Sequence, residues 1–278
     1  MNYLNDFKKR TTIIQEVLID EYYGNILFDT IQNYVSLHFS NISENKLVLI
    51  IQPMFLELER SSFFISKLCR SLAFHGYTVI KFDFYGSGNS NGQNEDIDLE
   101  TIQRDIVHII KWIEDNMDIT PEVSIGVQFG ADLICINHSL FTHFSKKVFI
   151  HPLINVSKYF ARNHLQRFIL NQYASNGKRI KMDDLLSENN HIIHLDGYSF
   201  NSKFVKSLLS LKSFPEDIAD KNILFLLNKT DKFIIQKFSN FKVIKPSAYI
   251  GWEDENIVSD LAFQKQIGEE VFNFLNNF

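Results

Sequence analysis

The chain has 278 residues, 45% hydrophobic and 22% charged, with a formal net charge of −5. That length supports one large α/β domain or two small ones with a good-sized core, and an acidic balance without a Lys/Arg run gives no basic surface for a nucleic-acid partner. No window approaches the roughly 20 consecutive apolar residues of a membrane span, and Met1 to Lys9 is too polar for a signal sequence. A cytoplasmic protein is therefore expected.

In chain order, residues 13–19 and 25–39 alternate apolar and polar side chains around Tyr22-Tyr23-Gly24, which reads as an antiparallel hairpin at a sheet edge. Residues 46–51 are continuously apolar after Lys46, the mark of a strand covered on both faces. A loop is expected over 52–60. Phe64, Leu68 and Leu72 then recur every four residues, and Gly76 closes that helix. Residues 77–82 form the next buried strand. The glycine-rich stretch 83–92 that follows lacks the Gly-x-Gly-x-x-Gly spacing of a phosphate loop, and its helix opens only at Leu99, with Ile102, Ile106, Ile110 and Ile113 on one stripe.

Next comes Val123-Ser-Ile-Gly-Val-Gln-Phe-Gly-Ala131, a short strand, a turn through Gln128 and an apolar helix over 131–140. Glycines on both sides of a central residue suit a strand and helix that pack closely, with the apex thrust out over the sheet end in a strained conformation. A strand over 147–150 ends at His151-Pro152, and the pattern then changes. An amphipathic helix is expected over 159–173, a β-like run over 191–195 and a helix over 204–211. Strands over 223–227 and 241–244 follow, and a terminal helix carries Phe263, Ile267, Val271 and Leu275. Alternating strands and helices with short loops imply an α/β fold, a mostly parallel twisted sheet flanked by helices. Residues 1–154 and 221–278 are expected to form its core, and 155–220 a helical cap inserted before the penultimate strand. Cys69 and Cys135 lie in apolar helical patterns and read as buried free thiols. No metal or cofactor is implied.

Sites in open α/β sheets form beyond the carboxyl ends of the strands. The sequence puts Gln52, Pro53, Met54, Phe55 and Glu57 after one strand, Asp83, Phe84 and Tyr85 after the next, and Gln128 and Phe129 at the turn. His151, Asp231, and Trp252 with Glu253 follow the later strands. Trp252, Phe55, Tyr85 and Phe129 line an aromatic pocket or fill space beneath the cap. Glu57 and Glu253 work as acid and base if buried together, or else are two surface carboxylates. His151 is a base or a hydrogen-bonded structural histidine. Asp231 is an acid beside the site or a solvated turn residue.

The order of Asp83, Gly86, Gly88, Ser90 and Gly92, then Gly126 to Gly130, then Asp231, resembles the α/β-hydrolase superfamily over nearly the whole chain. Within it, several stretches are similar to the exosortase A system-associated hydrolases, type 2. Pro53, Glu57, Arg60 and Ser61 lie in register with that group's Pro-rich motif. The group's turn commonly reads Gly-Leu-Arg-Leu-Gly-Ala where this chain has Gly126-Val-Gln-Phe-Gly-Ala131, and His151 to Asn155, Gly197-Tyr198, and Gly251-Trp252-Glu253 with Glu255 fall in matching order. The resemblance implies a biosynthetic, exopolysaccharide-related setting rather than a defined reaction.

It also implies a nucleophile at the turn, a histidine after the last strand and an acid to orient it. The nucleophile position is Gln128, an inert amide, and no histidine follows His194. Asp231 alone matches. The triad is thus degenerate, and usual Ser-His-Asp hydrolysis is not expected. Three functions remain: a pocket that binds an acyl, sugar or carrier-linked small molecule without hydrolysing it; an esterase, thioesterase or acyltransferase using an unconventional set such as Glu57, His151 and Asp231; or a structural subunit that docks on a biosynthetic partner or a second copy of itself. In the first, the backbone N–H of Phe129 and the start of its helix receive a carbonyl or carboxylate.

Overall fold

The computed structural model describes residues 2–166, 168–170, 173, 177, 192–211, 222–227, 242–244 and 261–276. The expected strand–helix alternation is present. Strands β1 (Lys8–Ile14), β2 (Val17–Phe28) and β3 (Ile31–Ser40) lead into β4 (Lys46–Ile51), helix α1 (Phe55–Phe74), β5 (Thr78–Phe82), α2 (Leu99–Asn116), β6 (Thr120–Val127), α3 (Phe129–Ile136) and β7 (Lys146–Ile150). Beyond these lie α4 (Val156–Phe160), a π-helical turn (Ala161–Leu165), the hairpin β8 (Ile192–Leu195) and β9 (Tyr198–Asn201), α5 (Ser202–Ser210), β10 (Ile223–Leu226), β11 (Lys242–Ile244) and α6 (Leu261–Asn276). All strands but β8 and β9 form one sheet in the order β1-β2-β3-β5-β4-β6-β7-β10-β11. It is antiparallel from β1 to the β3–β5 pair and parallel from β5 to β11.

Strands β4 after Lys46 and β10 throughout are continuously apolar because both faces of the sheet are covered. Leu47, Leu49 and Ile51 of β4 join one core with Ile102, Ile106 and Ile109 of α2 and Leu133 and Ile134 of α3. Val48 and Ile50 point the other way, into a core with Phe64, Ile65 and Leu68 of α1 and Ile267 and Val271 of α6. From β4 the chain steps to β5 on one side, then crosses back over β4 to β6. That reversal of direction sends α1 and α2 to opposite faces and leaves a crevice at the carboxyl ends of β4 and β6.

Two local readings are corrected. The edge carries three strands, not one hairpin, with turns at Gln15-Glu16 and at Asp29 rather than at Tyr22 to Gly24; Gln15, Glu16 and Asp29 all have positive φ (44°, 70° and 53°). Gly24 instead lies inside β2, where a Cβ would come 2.8 Å from the Phe7 ring. The expected loop over 52–60 is mostly the first turns of α1. Buried positions of α1 begin only at Ser61, because its first turns face Phe200 and Phe204 rather than the sheet, so the core-facing repeat starts late. Cys69 and Cys135 are free and buried, as expected. Among the described residues no helix is long and apolar enough to cross a membrane.

Candidate functional site

The turn after β6 shows why both of its glycines are needed. A Cβ on Gly126 would come 2.3 Å from Ala131 Cα, and one on Gly130 would come 2.1 Å from the Ile51 carbonyl oxygen. Helix α3 can start tight against β4 and β6 only without those atoms. Between them Gln128 takes φ 49° and ψ −120°, a conformation disfavoured for any residue with a side chain. Its N–H is anchored on Ile150 O at 2.8 Å, while its carbonyl accepts from Ala131 N at 2.8 Å. The Phe129 N–H, first in α3, lies outside the helix's own ladder.

The Gln128 side chain is 1% exposed, and neither its Nε2 nor its Oε1 has a hydrogen-bond partner. A buried amide with nothing to bond is costly. It lines a cavity of about 40 Å³ with Pro53, Met54, Phe55, Glu57, Phe129 and groups from beyond β7. That is room for roughly three waters or a group of similar size. Phe55, also at positive φ (58°), packs edge-on against Phe200 with centroids 4.6 Å apart.

One wall is polar. Tyr159 Oη donates to Glu57 Oε1 at 3.0 Å. His164 Nδ1 lies 2.7 Å from Asp196 Oδ2, and its Nε2 3.6 Å from Glu57 Oε1. Glu57 is therefore not the surface carboxylate that was one of its two readings; its side chain is 16% exposed. Among the described residues the wall holds no Lys or Arg. Sequence reasoning missed Tyr159, His164 and Asp196. They lie 102, 107 and 139 residues from Glu57 in the chain, and the signal for His164 is structural: it sits on a π-helical turn, a feature that recurs at functional sites.

The other candidates lie elsewhere. Asp83 organises the glycine-rich loop, accepting from Gln52 Nε2 at 2.9 Å and Asn89 N at 2.9 Å, while Ser90 Oγ donates to its carbonyl. Tyr85 is not in the cavity wall; Arg104 lies over its ring and its N–H donates to Asp105 at 2.6 Å. His151 is also outside the wall. Burial holds its imidazole down at about 4, and its Nδ1 is buried without a hydrogen-bond partner. Asp231, Trp252 and Glu253 lie outside the described residues. Two further Ser–His pairs are away from the cavity: Ser36 with His38 in β3, and Ser199 with His194 across the β8–β9 hairpin. Beneath the turn, Asp132 accepts from Leu153 N and Ile154 N, both at 2.8 Å, and fastens the chain after β7. Burial raises its carboxyl to about 7 against those two donors. Among the described residues no group of three or more His, Cys, Asp or Glu is placed to hold a metal.

An antiparallel edge, a parallel sheet reversing at β4, and a sharp strand–turn–helix at its carboxyl edge are together the α/β-hydrolase fold. Solved structures share it. Est1E from Butyrivibrio proteoclasticus with ferulic acid bound superposes with a TM-score of 0.59 at 15% identity, over 89% of this chain and 99% of that one. The Pyrococcus furiosus esterase Pf2001 gives 0.58 at 15% identity, over 98% and 92%. Mouse α/β hydrolase domain-containing protein 10 gives 0.56 at 13%, over 91% and 98%. No protein-family model and no curated protein sequence matches the chain.

Proposed function

We propose that this protein uses the α/β-hydrolase scaffold without its covalent serine chemistry, and that its pocket receives the carbonyl end of a small acyl, sugar or carrier-linked intermediate of a biosynthetic pathway. The observation that carries this reading is Gln128: an amide cannot act as the nucleophile, yet it stands at the turn, in a residue that lines a cavity, with both polar atoms buried and unpartnered. A ligand carbonyl accepts from its Nε2 and from the Phe129 N–H, in the positive potential of the α3 start. Residues 155–220 serve as the cap, supported by the packing of Phe200 and Phe204 on Phe55. Met54 and Phe55 supply apolar wall; Asp231, Trp252 and Glu253 are assigned to the site from the superfamily resemblance alone.

The test has two arms. A fluorophosphonate probe should leave the protein unlabelled, and stoichiometric labelling refutes the reading. Acetamide should raise the melting temperature of the wild type but not of Gln128→Met; equal shifts would put the ligand elsewhere.

A further inference from the structure

We propose that His164, oriented by Asp196, is the general acid–base of a direct, water-mediated hydrolysis of short-chain esters or thioesters in the Gln128 cavity. The inference rests on the pocket reading above and adds a reaction to it.

A carboxylate only accepts, so the 2.7 Å contact with Asp196 puts the proton of a neutral His164 on Nδ1 and leaves a lone pair on Nε2. The ring packs against the Tyr159 and Phe160 rings, at centroid distances of 5.8 and 5.0 Å, and its side chain is only 12% exposed. Nε2 then faces Glu57 Oε1 across 3.6 Å, too far for a direct bond, and both atoms bear lone pairs. The two atoms are too close for a water to lie between them, but a water or ligand hydroxyl beside the pair, on the cavity side, donates to either. The same cavity is lined by Gln128, whose amide has no partner, and by Phe129. The Asp–His order of the superfamily's relay is thereby present, but it comes from the segment between β7 and β10 and meets a water instead of a serine.

The step balances without a covalent enzyme intermediate. His164 Nε2 takes one proton from water as the water oxygen bonds to the acyl carbon. The carbonyl oxygen becomes an oxyanion that accepts from Phe129 N–H and Gln128 Nε2–H. On collapse the bond from the acyl carbon to the alcohol oxygen or thiol sulfur breaks, and the imidazolium returns its proton to that leaving group. The products are the acid and the alcohol or thiol. A cavity of about 40 Å³ admits an acyl group no larger than acetyl and leaves the rest of the ester outside.

Phenyl acetate hydrolysis by the full-length chain is the test. Steady turnover is expected with no burst of phenol. His164→Gln should lower kcat about 100-fold or more. Asp196→Asn should lower kcat with KM unchanged, and Asp196→Glu should recover part of it, a split that a merely structural role would not give. Turnover no faster than buffer, turnover unaltered in His164→Gln, or a stoichiometric burst each overturns the proposal. If acetamide still discriminates wild type from Gln128→Met while His164→Gln changes nothing, the relay falls and the pocket stands. Fluorophosphonate labelling removes both.

Discussion

Replacing Gln128 by Met tests the central observation in the absence of any ligand. The two side chains have similar length and volume, so the cavity walls and the strained backbone of the turn are nearly unchanged. What changes is an amide whose oxygen and nitrogen are both buried and unpartnered. Leaving such a group unsatisfied costs about 1–3 kcal/mol, and no hydrogen bond is lost with it. Gln128→Met should therefore stabilise the unliganded protein by about that amount, which is about 2–10 °C in melting temperature for a chain of this size. Urea unfolding and thermal melts measure it, and an unchanged slope in urea would show that the gain is in stability and not in compactness. A variant equal to or less stable than the wild type would mean that the amide is satisfied at rest, and its assignment as a ligand group would lose its physical basis.

Three further outcomes follow from residues of the site turn and of the sheet edge. Arg70→Ala removes the bidentate guanidinium, at 2.8 and 3.1 Å, from Glu21, which is fully buried; it should cost about 3–5 kcal/mol in urea unfolding. Burial opposes the Glu21 charge, but Arg70 and Tyr23 outweigh it and hold the carboxyl at about 2. Its stabilisation is therefore present above the unfolded value near 4 and lost as pH falls toward 2, a dependence that Arg70→Ala should flatten. Asp132 has the opposite sign. Its folded value of about 7 lies above the unfolded one, so its contribution is full below pH 4 and is lost as pH rises through 7; Asp132→Asn should remove that slope while costing about 1–3 kcal/mol for the Leu153 or Ile154 N–H left facing an amide NH₂. Gly130→Ala drives a methyl into the Ile51 carbonyl and should destabilise by more than the about 1–3 kcal/mol of ordinary overpacking; a melt unchanged from wild type would contradict the close approach of α3 to β4.

Much of the scaffold is legible in the chain itself. Runs such as Lys46–Ile51 and Ile223–Leu226 are apolar at every position after the first or throughout, which only a sheet covered on both sides explains. The stripe through Ile102, Ile106 and Ile113 gave α2, and the capping pair of Asp98 with Thr101 starts it where the pattern begins. Where reading failed, the cause is a contact between distant residues. Gly24 looked like a turn because nothing local shows the Phe7 ring above it. The first turns of α1 looked like loop because they pack on residues 102 to 149 positions away.

The site divides the same way. Gln128 between its two glycines, and the lack of any histidine after His194, are facts of the sequence, because the turn is a local structure whose steric demands fall on adjacent residues. That this amide is left without partners, that Glu57 faces inward, and that His164 stands between Asp196 and Glu57 depend on groups 32 and 107 positions apart. Bringing them together is the work of the sheet order and of the chain packed over its carboxyl edge, and no local pattern encodes a meeting of that kind.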